Sequence, residues 1–483
     1  MNFRVDWKLL SILIIGIFAR LSPLFLTGFI DPDSYYHLRL ITAIDSFGKL
    51  ISYDPLSFGG RPYTYYPLFH LMGFNLFSLW GIGNFASFSI LSLLATLVAI
   101  LATYSLTKKI VDLTIQSNLK EYDFFKNYSP YLASLLIAIS PAALSRSMVF
   151  GRPDAFVLCF APLILLSYLN KENFNLFLLF FLLTLIHLPS ALVLFATLVA
   201  IQISSYLVKA KTDSAPLLYG FFGLILSSIY YLQFNVLNYL SPAIFSSSEL
   251  SIFSWQFIFF YTIAPLVFVF IFIYFAFKEN FYSKISVILF WFSISVALLI
   301  VGQRNIVFLA PSLCILCGLS IGLLISKLTI TKELMLISIS LFFAVILLSY
   351  SSTIFQQSSN SDFSSAFYLS NSISGPAGLV ASTWDQGHLL TYLSARPVYV
   401  DGYFEFSNNA IGRIQLTNLL FYGLSEQSFS SLNQLFLSNV KYIFATSQQH
   451  NSDVNYLENS SNESVSKIYD SGSAVYYIQK SGN

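Results

Sequence analysis

Charge is scarce in this 483-residue chain. Asp, Glu, Lys and Arg make up 10% of it, against roughly 25% in soluble domains, which excludes an ordinary water-soluble enzyme and a disordered chain. The formal balance is only +2, so there is no basic field to hold a nucleic acid, and no nucleic-acid partner is expected. Cysteine is nearly missing too. Cys159, Cys314 and Cys317 all lie in apolar runs, which points away from a disulfide framework or a zinc site. Cys314-x-x-Cys317 has redox spacing, but it sits inside the apolar stretch Leu309 to Leu324 and reads as packing. No internal repeat is evident. The bulk of the chain is apolar: 56% hydrophobic, 17% aromatic, with a mean hydropathy of +0.69.

Apolar runs long enough for a hydrocarbon core of roughly 30 Å recur through the first 350 residues. The expected spans are 8–28, 85–107, 129–147, 154–169, 173–187, 189–208, 215–234, 254–277, 284–302, 305–326 and 332–350. Tyr65 to Asn84 is apolar but broken by Gly and Pro, either a further span or helices lying against the bundle. The total is about eleven to thirteen spans. Arg20 interrupts the first run and no small-x-small cleavage site follows, so that run reads as a retained helix rather than a signal peptide.

Lysines set the sidedness. Lys8, Lys108, Lys109, Lys120, Lys126, Lys171, Lys209, Lys211, Lys278, Lys284, Lys327 and Lys332 fall in alternate loops, which the positive-inside rule makes cytoplasmic. The N-terminus is then cytoplasmic and the tail from Ser351 extracytoplasmic. The opposite face is poor in lysine yet carries Arg39, Arg61, Arg146, Arg152 and Arg304, a set suited to an anionic ligand. Beyond Ser351 the texture turns to Ser, Asn, Gln and Gly with short β-rich runs at 378–382, 397–400, 440–445, 466–469 and 474–478. Helical stretches are expected at 387–394, 409–422 and 426–437, which makes 351–483 a small α/β domain.

Four polar elements fall on the lysine-poor face. Asp31-Pro32-Asp33-Ser34-Tyr35-Tyr36-His37-Leu38-Arg39 follows the first span and also reads as a plain helix start, with Pro32 at N1 and Asp33 in the first turn. Ser145-Arg146-Ser147 to Gly151-Arg152-Pro153-Asp154 lies between the third and fourth spans, where Asp154 doubles as a cap. Ser246-Ser247-Ser248-Glu249 interrupts the loop after the seventh, and a lone loop carboxylate is usually just solvated. Thr383-Trp384-Asp385-Gln386-Gly387-His388 follows a strand of the tail, where Trp384 also reads as core and Asp385 as a cap. Ionisable groups near a membrane interior are costly and default to functional candidates. Asp33, Asp154 and Glu249 supply hard oxygens of the kind that gather around Mg²⁺ or Mn²⁺ while leaving positions open for a phosphate.

At these residues the sequence resembles the catalytic subunit of oligosaccharyltransferase, particularly its archaeal forms. Asp33-x-Tyr35-Tyr36-His37-x-Arg39 is similar to that family's first-loop motif, and Ser145-Arg146-Ser147 through Asp154 to its second. Ser247-Ser248-Glu249 resembles its glutamate motif, Trp384-Asp385-Gln386-Gly387 its acceptor-reading Trp-Trp-Asp-x-Gly, and Gln303-Arg304-Asn305 to Pro311 its arginine-bearing helix start. The resemblance implies a polytopic α-helical membrane protein with a GT-C-like bundle over 1–350 and a C-terminal extracytoplasmic domain over 351–483 that carries Trp384-Asp385. It implies a single-subunit, inverting enzyme that moves an oligosaccharide from a polyprenyl (dolichyl) phosphate or diphosphate to asparagine in Asn-x-Ser/Thr of polypeptides.

In that reading Asp33 and Glu249 activate the amide, Asp33, Asp154 and Glu249 hold Mn²⁺ or Mg²⁺, and Trp384 and Asp385 bind the acceptor hydroxyl. Arg304, Arg152 and His37 contact the lipid phosphate or the peptide, with a plain helix-surface role the alternative for His37. His187 is a further candidate for the lipid head group. Several positions depart from the family pattern. Ala155 and Phe156 stand where a further acid or histidine follows the second-loop aspartate, Thr383 stands at the first tryptophan of the acceptor motif and Gln386 at its tyrosine position. Two alternatives follow: a GT-C transferase with a polyprenyl-phosphate sugar and a non-peptide acceptor, or a catalytically degenerate accessory homologue. A transporter ranks below both, because paired ionisable residues inside spans are scarce.

Overall fold

The computed structural model describes residues 6–27, 32–63, 66–81, 84–114, 122–147, 152–207, 213–232, 264–278, 282–301, 305–327, 360–371, 378–403, 407, 409–422, 431–432, 434–435, 437–447, 449, 465–471 and 473–478. Within them the apolar runs form helices: α1 (Trp7–Thr27), α2 (Pro32–Phe47), α3 (Pro67–Trp80), α4 (Asn84–Thr114), α5 (Asp123–Ile139), α6 (Pro141–Ser147) and α7 (Asp154–Asn170). They are followed by α8 (Asn173–Leu207), α9 (Ala215–Leu232), α10 (Ala264–Lys278), α11 (Tyr282–Val301) and α12 (Ile306–Lys327).

By length and composition, Ser89–Thr114, Asn173–Ser204 and Ile306–Lys327 are each able to cross a membrane, and the shorter apolar helices Ala155–Asn170, Ala215–Tyr231, Leu266–Lys278 and Ile285–Leu299 stand beside them. The helix α8 doubles back. Its backbone is extended at His187, just before Pro189, and the rings of Phe180 and Phe195 come to 5.7 Å, a separation that a straight helix of that length forbids. The expected spans 173–187 and 189–208 are therefore the two arms of one hairpin. The expected span 332–350 and residues 254–263 lie outside the described residues.

The centre of the bundle is α12, buried along most of its length. Its contact with α5 depends on small residues, because a Cβ on Gly318 would lie 2.6 Å from the Ala133 nitrogen. Such close approach substitutes for the hydrophobic force that lipid cannot supply between helices. Arg20 on α1 is also buried here. Its guanidinium donates to Ser147 Oγ at 3.1 Å, to the Ile137 carbonyl at 3.2 Å and to the Ala138 carbonyl, so the charge meets the negative end of α5.

The C-terminal region forms a four-stranded sheet in the order β3-β4-β6-β5, with β3 (Leu379–Ala381) parallel to β4 (Val440–Ala445). The strands β6 (Ala474–Ile478) and β5 (Val465–Asp470) complete it in antiparallel register. Side chains alternate between two covered faces. Tyr442 and Phe444 meet Leu369 of α13 (Asn360–Asn371) and Leu390 of α14 (Gly387–Ser394), while Ile443 and Ala445 point to a second core that includes Phe421 of α15 (Ala410–Tyr422).

That second core also contains Phe58, which belongs to the loop after α2. The loop is a short hairpin of β1 (Tyr53–Asp54) and β2 (Arg61–Pro62), and it is fastened to the C-terminal region by Val398 N donating to the Leu56 carbonyl at 2.9 Å and by Arg413 Nη1 donating to the Phe58 carbonyl at 2.7 Å. The turn at Gly60 requires glycine: φ is +117°, and a Cβ there would overlap the Tyr53 hydroxyl.

Candidate functional site

Pro32 and Asp33 start α2 as their chemistry favours, with the ring at a position that needs no N–H and the carboxylate at the positive end of the helix. One turn later, Tyr36 and His37 share the face of Asp33. Asp33 Oδ2 lies 2.9 Å from Arg152 Nη2, and both side chains are partly exposed. Arg152 stands two residues before Asp154, the first residue of α7, so this ion pair joins the first turn of α2 to the segment before α7. Glu249 and Arg304, and the side chains of Asp154 and Arg146, lie outside the described residues.

His37 is buried, which corrects the helix-surface reading. Its Nδ1 is 2.9 Å from His70 Nε2, and His70 Nδ1 is 2.8 Å from the Tyr63 hydroxyl, so three polar groups form one chain below Asp33. Burial, then the neighbouring His70, hold the His37 imidazole well below its usual pKa and therefore neutral. Beside it Phe69 packs edge-on at 5.1 Å, and Phe156 packs edge-on to Phe69 at 6.0 Å. Phe156, where the resembled family carries a ligand-type residue, thus belongs to an aromatic wall. His187 reaches the same neighbourhood: its ring is 5.2 Å from Tyr66 at the start of α3, and its Nδ1 is 2.6 Å from Ser190 Oγ.

Arg39 departs from the expectation of an anion-binding arginine. Both its terminal nitrogens donate to Asp54, at 2.6 Å each. Burial would raise the Asp54 carboxyl, but the bonds and charge of Arg39 outweigh it and hold the group below the usual carboxylate range. This pair locks α2 to the hairpin.

Above the hairpin lies a seam with the C-terminal region. Ser57 Oγ donates to Asp401 Oδ2 at 2.5 Å, Tyr36 stacks on Tyr403 at 5.3 Å, and the His388 ring lies 5.1 Å from Tyr36. Burial pushes His388 down to a pKa of about 4, despite the nearby Asp401 carboxylate. Trp384 and Asp385 occupy a tight turn (Trp384–Gln386) and are half-buried, with Gln386 Nε2 donating to Asp385 Oδ2 at 3.2 Å. Gly402 lies against them: a Cβ there would sit 3.0 Å from His388 Nε2 and 3.6 Å from Trp384 Cε3. Thr383 is buried and accepts a bond from Gln449 Nε2 at 3.3 Å, a packing role.

The structure thus brings Asp33, Arg152, His37 and the Trp384-Asp385 turn to one end of the bundle. Among the described residues, no three His, Cys, Asp or Glu side chains are grouped as a metal site; of the three expected ligands only the side chain of Asp33 is described. Sequence reasoning missed Asp54, Tyr63, His70, Asp401 and Tyr403. The available signal was the density of polar and aromatic residues from Tyr53 to His70, within a chain otherwise so apolar.

No family model matches the chain, and no curated protein matches it by sequence. Solved structures do match in shape. The Archaeoglobus fulgidus oligosaccharyltransferase aligns with a TM-score of 0.63 at 13% identity, over 93% of this chain and 70% of that one. The oligosaccharyltransferase AglB from Archaeoglobus fulgidus, solved with an inhibitory peptide and a dolichol-phosphate, aligns equally well, with a TM-score of 0.63 at 13% identity. ArnT from Cupriavidus metallidurans, bound to undecaprenyl phosphate, aligns with a TM-score of 0.59 at 11% identity over 98% of both chains. The chain has the GT-C membrane fold. The mycobacterial arabinofuranosyltransferase AftD shares it over 99% of this chain and 40% of its own, at 13% identity and a TM-score of 0.59. At such identities the likeness speaks for the fold, and chemistry has to be argued from the residues themselves.

Proposed function

We propose that this GT-C protein transfers an oligosaccharide from a polyprenyl phosphate or diphosphate to asparagine in Asn-x-Ser/Thr, on the extracytoplasmic face, with inversion at the sugar. The observation that carries the reading is the Asp33–Arg152 pair on the helix whose Tyr36 stacks against the tail bearing Trp384-Asp385. Support also comes from the shared fold with AglB, solved with a peptide and dolichol-phosphate, and with ArnT, solved with undecaprenyl phosphate.

An amide nitrogen is a poor nucleophile because its lone pair is conjugated with the carbonyl. Asp33, with Glu249 as its partner, accepts hydrogen bonds from the NH₂ group, weakens that conjugation and takes the proton as the new nitrogen–carbon bond forms. Arg152, ion-paired with Asp33, faces together with Arg304 the charge left on the phosphate as the sugar–oxygen bond breaks. Trp384 and Asp385 engage the acceptor hydroxyl, so a peptide lacking it leaves their polar atoms unpaired. Asp33, Asp154 and Glu249 are hard oxygen donors that suit Mg²⁺ or Mn²⁺, and the partly exposed Asp33 carboxylate is accessible to such an ion; a bound ion there would stabilise the leaving phosphate.

The test is purified protein with lipid-linked oligosaccharide, a sequon peptide and Mn²⁺. Glycopeptide is expected from the wild type and not from Asp33→Ala. No product from the wild type, with Glu249→Gln changing nothing, would favour a degenerate accessory homologue. One observation favours a second reading. ArnT and the arabinofuranosyltransferase AftD share the fold at TM-scores near that of the oligosaccharyltransferase, so a GT-C transferase with a non-peptide acceptor is the second reading. Under that reading Trp384→Ala and Asp385→Ala leave sugar transfer intact.

A further inference from the structure

One buried charge has no part in this chemistry. Arg61 is 4% exposed, and among the described residues none of its guanidinium nitrogens has a hydrogen-bond partner. Arg20, Arg39, Arg152, Arg396 and Arg413 each have at least one polar contact. A guanidinium taken out of water needs compensation; the Asp401 and Asp54 carboxylates lie near enough to contribute, but the groups packed against the Arg61 plane are aromatic. Its Cζ lies 4.2 Å from the centre of Tyr403 and 5.9 Å from that of Tyr36. Arg39 meets the same Tyr36 ring at 5.6 Å while bonded to Asp54, so two cations and two stacked rings run from α2 across the hairpin to the tail.

The two rings lead to the two ends of the site. Tyr36 is one helical turn from Asp33, and Tyr403 follows Gly402, against which Trp384 and His388 pack. We propose that Arg61 is a positioning residue: its planar cation clamps Tyr403 and thereby sets the distance between the Trp384-Asp385 turn and Asp33, without touching substrate. A planar, weakly hydrated guanidinium suits this clamp better than an ammonium does. The inference rests on the oligosaccharyltransferase reading only in assigning acceptor recognition to Trp384-Asp385.

The experiment uses the full chain in lipid nanodiscs, with Arg61→Met, Arg61→Lys and Tyr403→Leu. It reads hydrogen exchange at the amides of 384–403 and of α4, together with transfer kinetics on a sequon peptide. In Arg61→Met and Tyr403→Leu the amides of 384–403 exchange about tenfold faster and α4 is unchanged, the effect expected for the loss of one desolvated cation–π contact. The KM for peptide rises by a similar factor while kcat and the donor KM hold, and Arg61→Lys recovers part of the loss. Unchanged exchange in both variants would overturn the clamp, as would a rise in donor KM in place of peptide KM. If Arg61→Met does not fold, Tyr403→Leu decides alone. If the wild type glycosylates no peptide, the proposed function fails and the exchange measurement still decides the clamp.

Discussion

Inside the bundle, many buried hydroxyls turn back on their own helices, as Thr107 Oγ1 does in donating to the Thr103 carbonyl at 2.7 Å, while a few such as Ser295 Oγ, 3.1 Å from the Phe308 carbonyl, also reach a neighbouring helix. At the seam above, polar groups reach across elements. Arg39 on α2 holds Asp54 in the hairpin, His37 on α2 meets His70 on α3, and Ser57 meets Asp401 far along the chain. The contrast separates two uses of polarity. Bonds within a helix satisfy atoms but leave neighbouring elements free to slide, whereas bonds between elements fix their relative placement, which catalysis at a shared site demands.

Breaking the seam should therefore cost more than breaking the bundle's internal bonds. The largest effect is on chemistry. Asp33→Ala should lower transfer by about 10²–10⁴-fold, with little change in thermal stability, because the side chain is partly exposed. Initial rates and a melting curve on the same sample check both halves. Asp54→Ala strands Arg39 as an uncompensated buried charge and should destabilise by about 3–5 kcal/mol, whereas an Arg39→Met, Asp54→Leu double variant should recover most of that loss in denaturant melts.

Titration gives the next effect. Burial holds His388 neutral down to about pH 4, while the unfolded chain takes up its proton near pH 6.5. Stability is therefore complete above pH 7 and falls as pH drops from 6.5 toward 4, by up to about 1.4 kcal/mol per unit for this group. Melting temperatures across that window should slope less in His388→Gln. The smallest effect sharpens the other side of the contrast: Thr107→Val removes a bond within one helix and should cost about 1 kcal/mol or less, measured by the same melts.

Much of the architecture was readable in the residues because it rests on periodicity and composition. The strands 440–445 and 474–478 and the helix 387–394 fall where alternation and helical spacing place them, and the break at His187 follows the adjacent Pro189. The helix Asn360–Asn371 went unseen because its Ser and Asn content argues against a helix. It is held by tertiary contacts such as Asp362 Oδ1 accepting from Ser447 N and Ser365 Oγ donating to the Ser473 carbonyl. At the site, Asp33, Arg152 and Trp384 stood out as ionisable or aromatic groups in conspicuous places. The partnerships of Arg39 with Asp54 and of His37 with His70 and Tyr63 did not, since pairings between loops leave no periodic trace and are set only when α2, the hairpin and α3 pack.

The claim that the helix of Asp33 and the turn of Trp384 serve one reaction is tested most directly by acceptor discrimination. The ratio of kcat/KM for an Asn-x-Thr peptide to that for its Asn-x-Ala counterpart should reach about 10² or more in the wild type and fall toward unity in Trp384→Ala. An unchanged ratio in that variant, or sugar transfer to non-peptide acceptors alone, would contradict the account.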